Sequence, residues 1–542
     1  MNVRRNRPDK EARRKERRSE RILSIFKALV LLVLLGATAY GVIQSGLYDD
    51  KLWLPVAAGT LALLFLTLFI RNFFADINGI GWLLVGLLAT LVAVKGLSMY
   101  WTVSEAETVQ ELLRSSMYLA VFVLALAAVS SERQVGPLMD AAILIVSIVA
   151  GYGVLQKVRP VEYGITSIDG IRVDSTLDYA NTAAMMLGVG VALALARMTS
   201  SRNPLIRGLY AAIALCCVAV LFLTASRGGI FSLGIGVLVF LVITSDRLQA
   251  LANVFLLSIP GAALIWSMQS LDGLLEVGAS EARKVADGTT FGVYLPVAMI
   301  VAFVLQAVYA LLMNLYELTD LSRRSLNMVA GVLAVLILVT GVFLTVNRYG
   351  GVGKAYESLT EGPENNGNIG QRLASLSIGY REDYWKVGWA SWKQNPLTGT
   401  GAGTFQFTWL KERDSDTGVK QIHNLYLEQG TETGVFAFAA LLGFVGLLVG
   451  YTIRATLKSG LDGERRVLLA GLVSALLVYL ISSVIEWHWY IPASTMYFFI
   501  LAAVAVKLAA SPEWLTPKAA SPIRTVVHEP SASKTDSASP NG

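Results

Sequence analysis

A chain of 542 residues in which 54% are hydrophobic and only 15% charged, with a mean hydropathy of +0.56, lacks the polar surface to cover a soluble body of that size. The formal net charge of +6 is matched by the first 21 residues alone, where ten Lys or Arg stand against four acids, so the remainder is neutral and the basic pI implies no nucleic acid partner. Two adjacent cysteines, Cys216 and Cys217, lie inside an apolar run, and the chain has three histidines, which argues against a disulfide framework and against a structural metal.

Residues 1–21 read as a basic tail held on the cytoplasmic side by its charge and drawn to anionic lipid. Behind it, apolar runs fall near 22–44, 53–70, 78–97, 116–130, 137–155, 180–197, 208–225, 229–244, 249–268, 294–314, 326–346, 433–453, 467–486 and 489–507. They are of the length that crosses roughly 30 Å of hydrocarbon, and each must be a helix because lipid offers its backbone no hydrogen bonds. The fold class is therefore all-α, a polytopic transmembrane helix bundle of about 12–14 spans. The first run is long, follows a large basic segment and has no clear small-residue cleavage pattern, so it reads as a span and not as a cleavable signal.

Counting spans from a cytoplasmic N-terminus puts Arg71, Arg133, Arg197, Arg202, Arg207, Arg247, Arg323, Arg324, Arg454 and Arg465 in the cytoplasm. The loops 45–52, 98–115, 156–179 and 269–293 fall outside and are acidic or mixed. Ser104, Asp287 and Asn366 are expected outside, and Ser200, Arg324 and Gly460 inside. Organisation along the chain follows as N-terminal transmembrane helices over 22–164, a core over 165–450, C-terminal transmembrane helices over 451–507, and a Ser, Pro and Ala-rich tail over 508–542 expected to be a disordered cytoplasmic segment.

One connection breaks the pattern of short loops: 347–432 is one large, partly helical extracytoplasmic loop, and long loops on a rigid scaffold are where function concentrates. Its segment from Glu382 to Lys393 carries Trp385, Trp389 and Trp392 on one helical face, suited equally to packing at the membrane surface and to stacking on sugar. Asn395-Pro396 ends that helix, and Gly399, Gly401 and Gly403 make a tight turn without the Gly-Lys-Ser/Thr ending of a phosphate loop. His423 opens the next helix, with Gly430 and Gly434 on nearly the same face, where small residues admit a close neighbour. Upstream, Ser226-Arg227-Gly228-Gly229 forms a very short outer turn, where an arginine either snorkels to headgroups or meets an anion. Arg381, Arg372 and Arg172 are expected on the same side, and guanidinium groups grip phosphate oxygens in a two-pronged manner.

Together, His423-Asn424 followed after nine residues by Gly434, the Ser226-Arg227-Gly228 turn, and the stretch from Arg381 through Asn395-Pro396-Leu397-Thr398-Gly399 resemble the O-antigen ligase and O-antigen polymerase superfamily of membrane C-type glycosyltransferases. The resemblance runs over roughly 165–450. Ala437 departs from the ligase form of the motif, which leaves ligase and polymerase both open. Such enzymes take a glycan from an undecaprenyl-pyrophosphate carrier and pass it to a glycan, lipid or protein hydroxyl on the outer face of the cytoplasmic membrane. What the resemblance implies for this chain is a cell-envelope polysaccharide or glycoprotein enzyme in the lipid bilayer with no cofactor, no nucleotide sugar and no metal. Arg227 and Arg381 would hold the pyrophosphate, with Arg372 and Arg172 in reserve, and His423 would act as the catalytic base. Attack opposite the leaving group would invert the anomeric centre. The competing class is a polysaccharide transporter or lipid flippase. Ion-coupled transport generally needs ionisable groups near the midplane, whereas Lys27, Lys95, Asp140 and Glu486 sit near span ends.

Overall fold

A computed structural model describes residues 7–510 apart from 168, 316–319, 349, 352, 355–356, 359–366, 376, 415 and 459–462. Asn366, Gly460 and the tail from 511 onward therefore lie outside the described residues. The described chain is 80% helical and has no strands. In order, the helices are α1 (Arg7–Ile43), α2 (Asp50–Thr67), α3 (Gly79–Leu97), α4 (Glu105–Ala128), α5 (Val135–Val158), α6 (Ala180–Ser200), α7 (Pro204–Leu223), α8 (Arg227–Ile243) and α9 (Arg247–Met268). They continue with α10 (Asp272–Leu275), α11 (Glu281–Leu315), α12 (Asp320–Arg348), α13 (Ile369–Ala374), α14 (Arg381–Gln394), α15 (Phe405–Glu412), α16 (Leu425–Leu457), α17 (Gly463–Ser482) and α18 (Pro492–Ala509).

Twelve of these are long and apolar enough to cross a membrane. The apolar α8 is shorter, and α12 carries the 326–346 run, so each run read from the sequence corresponds to a helix. The protein is a multi-pass helix bundle. Its centre is α18, α6 and α17, which are apolar on all sides and enclosed by their neighbours, as a helix without a polar face must be. Gly471 sets the approach of α17 to α6, since a Cβ there would lie 2.1 Å from the Ala196 methyl.

One boundary differs from the sequence reading in a way that matters. The run 467–486 suggests a span ending at Glu486, but α17 stops at Ser482 and the segment to Pro492 is a turn. Pro492 opens α18, where its missing N–H costs nothing, and the turn is held by the buried side chains of Glu486 and His488.

Contacts sort the connections into two ends. At one, Lys27 pairs with Asp76 at 2.6 Å, Lys507 Nζ donates to the Asp76 carbonyl, and Arg197 pairs with Asp140 at 2.7 Å. At the other, Gln110 reaches Asp50 at 3.0 Å, Val103 N–H donates to Thr400 O, and Lys157 Nζ donates to Ile171 O and Leu274 O. That second end also carries the loop with α13, α14 and α15. The charged residues at span ends are thus mostly paired, in keeping with the cost of a lone charge at this depth.

Candidate functional site

The site is built on a broken helix. Asn424 caps α16, its side chain accepting from Tyr426 N–H at 3.1 Å and Leu427 N–H at 3.0 Å, so His423 stands just ahead of the helix and not within its first turn. His423 has φ 59°, a left-handed conformation that few side chains adopt. Eleven residues on, Gly434 takes φ 73°, ψ −172° and interrupts α16. The Asn395–Gly403 turn repairs the break: Val435 N–H donates to Pro396 O at 2.9 Å, and Gly401 N–H donates to Glu432 O at 2.8 Å. The Glu432 carboxylate in turn accepts from the N–H groups of Gly403 and Phe405 at 2.7 and 3.0 Å.

A Cβ at Gly434 would lie 2.0 Å from the Leu397 carbonyl oxygen. Gly434→Ala therefore combines a forbidden contact with a positive φ, and a destabilisation of at least about 2 kcal/mol is expected. Thermal unfolding in detergent checks this against Gly446→Ala, a site with open space. Equal melting of the two variants would mean that the interlock is not what holds the turn.

The aromatic stripe of α14 is divided between packing and solvent. Trp392 covers Gly430 and meets Phe438 at 4.8 Å, and Trp385 packs against the small core of Phe405, Trp409 and Ile422, whereas Trp389 is 52% exposed.

Around His423 the centre of organisation is Glu486, which is 3% exposed. Arg381, the first residue of α14, pairs with its carboxylate and also donates to Ile485 O at 2.8 Å and Ile378 O at 3.1 Å. Asn181 Nδ2 donates to Glu486 at 2.7 Å and Tyr179 OH at 2.5 Å. Arg172 joins by donating to Asn181 Oδ1 at 2.5 Å and to Thr224 O at 2.8 Å. Burial alone would raise the Glu486 pKa, yet Arg381 and the surrounding donors hold it below the ordinary carboxylate value, so the residue is an anion.

His423 lies against Tyr384 and Trp487, at ring separations of 5.5 and 6.1 Å. Its Nδ1 is 3.0 Å from the Gln421 carbonyl, which can only accept, so in the neutral ring Nδ1 carries the proton and Nε2 keeps its lone pair. Burial, reinforced by Arg381, lowers the pKa from 6.5 to about 4, with Glu486 and the Gln421 bond opposing.

Arg227 begins α8 behind its cap Ser226 and donates to Ser375 O at 3.1 Å and to the Ser375 hydroxyl. Arg372 lies on α13, three residues before Ser375. Thus Arg381 pairs with Glu486 directly, Arg172 reaches it through Asn181, and His423 lies against the neighbouring Trp487, while Arg227 and Arg372 flank the adjoining 375–381 segment. Tyr179, Asn181 and Glu486 are functional candidates that the sequence reading passed over. The only signal for Glu486 was an acid in the run Glu486-Trp487-His488 between two apolar stretches. Among the described residues no group of His, Cys, Asp or Glu is arranged to hold a metal ion.

Residues 293–442 match the family model described as O-antigen ligase. That match covers the stretch from His423 to Gly434 on which the resemblance rests, and it supports a membrane glycosyltransferase-like role. The O-antigen ligase match takes in Arg372, Arg381, His423 and Gly434. Arg172, Arg227 and Glu486 lie outside it and join the site only through the fold. The comparison with curated proteins finds no match.

Proposed function

We propose that this protein transfers or polymerises a glycan from an undecaprenyl-pyrophosphate carrier to an acceptor hydroxyl on the outer face of the cytoplasmic membrane, without a metal and with inversion. The observation that supports it most strongly is the meeting of His423, Arg381 and Arg172 around one buried anion at the end of the bundle that bears the 347–432 loop. His423 Nε2 takes the proton of the acceptor hydroxyl as its oxygen attacks the anomeric carbon. The bond from that carbon to the pyrophosphate oxygen breaks on the opposite face, and undecaprenyl pyrophosphate departs with the electron pair. Arg227 and Arg381 neutralise the departing charge, with Arg372 and Arg172 adding positive potential at longer range. Arg381 keeps a full positive charge at a fixed position, and it acts on a nearby oxyanion through that charge. Glu486 fixes Arg381 and Asn181 in place and keeps the arginine cluster from repelling itself.

The pH profile tests the role of His423. With its pKa lowered to about 4, the base stays unprotonated well below the ordinary value of 6.5, so transfer should persist to about pH 5 and fall as pH drops through about 4. An acid limb centred near 6.5 would mean that the working imidazole is solvated or that another group is the base. Stability responds in the same range. Below about 6.5 the unfolded chain binds a proton that folded His423 refuses until about 4, and the fully buried His488 behaves the same way, so the fold weakens progressively across that window.

Orientation is tested separately. In a background with Cys216 and Cys217 replaced, Glu105→Cys should react with a membrane-impermeant thiol reagent on intact spheroplasts, whereas Arg202→Cys should react only after lysis. The opposite pattern would place the site on the cytoplasmic face and remove the proposed donor from its reach.

A further inference from the structure

Beside His423, at the same end of the bundle, lies a second cavity of about 370 Å³ that the chemistry above does not use. Its walls come from the start of α2, the first turns of α4, the Gly403–Gln406 segment, Lys420-Gln421 and Tyr490. That volume falls within the range of small-molecule sites, roughly 300–1,000 Å³.

Its floor is costly to build. Arg114, with 9% of its side chain exposed, lies over the rings of Trp53 and Tyr490 at 4.9 and 5.1 Å and pairs with Glu111. Glu111 is itself buried and pairs with Lys95 at 3.1 Å, while Tyr490 OH donates to the buried Glu428 at 3.1 Å. Charge is costly at this depth, and here a paired guanidinium and carboxylate form part of a cavity wall, which suits the cavity to a polar ligand.

Four carboxylates and three cationic side chains line the space, so it carries no excess positive charge and is no second phosphate site. Carboxylates, the amides of Gln110, Gln406 and Gln421, a guanidinium and two tyrosines together suit a ligand dense in hydroxyls that both donate and accept. Gln421 connects the two sites, since it lines the cavity while its carbonyl binds His423 Nδ1. We propose that this cavity holds the saccharide of the acceptor, presenting its hydroxyl to His423 from the side opposite the arginines. This rests on the glycan-transfer reading.

The test uses the full-length protein in the cells that make it, as the sole copy, with photoreactive benzoylphenylalanine in place of Gln110, Gln406, Tyr384 or Gln249, one at a time. After illumination the protein is purified and its adducts are probed by periodate oxidation and hydrazide tagging of sugar. Gln110 and Gln406 line the cavity, the Tyr384 ring lies against His423, and Gln249 lines a cavity at the opposite end of the bundle. The expected result is a sugar-bearing adduct at the cavity positions several-fold above the Gln249 background. Two independent cavity positions, each with its membrane level measured, guard against misfolding at one. An adduct at Tyr384 with none at Gln110 or Gln406 overturns the acceptor cavity and leaves glycan transfer standing. Absence at all four positions overturns both.

Discussion

His423→Asn is expected to lower glycan transfer by roughly 10²–10⁴-fold while lipid-linked donor still binds with near-normal affinity. Asparagine is the informative replacement because it tolerates the left-handed backbone that His423 adopts at φ 59°, whereas alanine would add strain to the loss of the ring. Nothing in the donor pyrophosphate needs the imidazole, which acts on the acceptor proton. His423→Ala should show the same kinetic loss with some added thermal instability. Full transfer by His423→Asn in correctly inserted protein would remove the imidazole from the chemistry and leave it a shaping role between Tyr384 and Trp487.

Arg381→Lys should fail differently, losing donor binding as well as turnover. Lysine keeps the charge, but one ammonium cannot serve the Ile485 and Ile378 carbonyls, the Glu486 carboxylate and a pyrophosphate together. Loss of a buried, hydrogen-bonded charge partner costs about 2 kcal/mol or more, so donor affinity should fall by roughly 30-fold or more. Arg227→Lys, which leaves Glu486 untouched, should lose donor affinity with little change in melting temperature. Donor binding within about twofold of wild type in both lysine variants, against the tenfold that 1.4 kcal/mol represents, would reduce both arginines to structural roles.

The spans were legible in the sequence because lipid imposes a length and a composition that few other constraints disturb. His423, Gly434 and the Gly399–Gly403 turn were legible as a motif, but their geometry was not. The motif reading made His423 the first residue of a helix, whereas the capping habit of asparagine points to Asn424 as the residue before the first turn. The glycine turn read as a turn, yet its work, supplying hydrogen bonds to a helix broken at Gly434, depends on contacts between segments that no local pattern encodes. Glu486 was hardest to see. Its partner Arg381 is 105 positions away, and its own segment reads as the end of an apolar run until the structure stops α17 at Ser482.

The most direct measurement of the central claim is the fate of the donor's pyrophosphate bond. Purified protein is reconstituted in liposomes with undecaprenyl-pyrophosphate-linked glycan from the source cells, and free undecaprenyl pyrophosphate is followed together with the length of the lipid-linked chains. The account predicts carrier released in proportion to glycan transferred, with lengthening chains if the donor also serves as acceptor, or release only after a second acceptor is supplied. Donor that stays intact with acceptor present, or that merely crosses the bilayer uncleaved, would contradict it and favour a transporter.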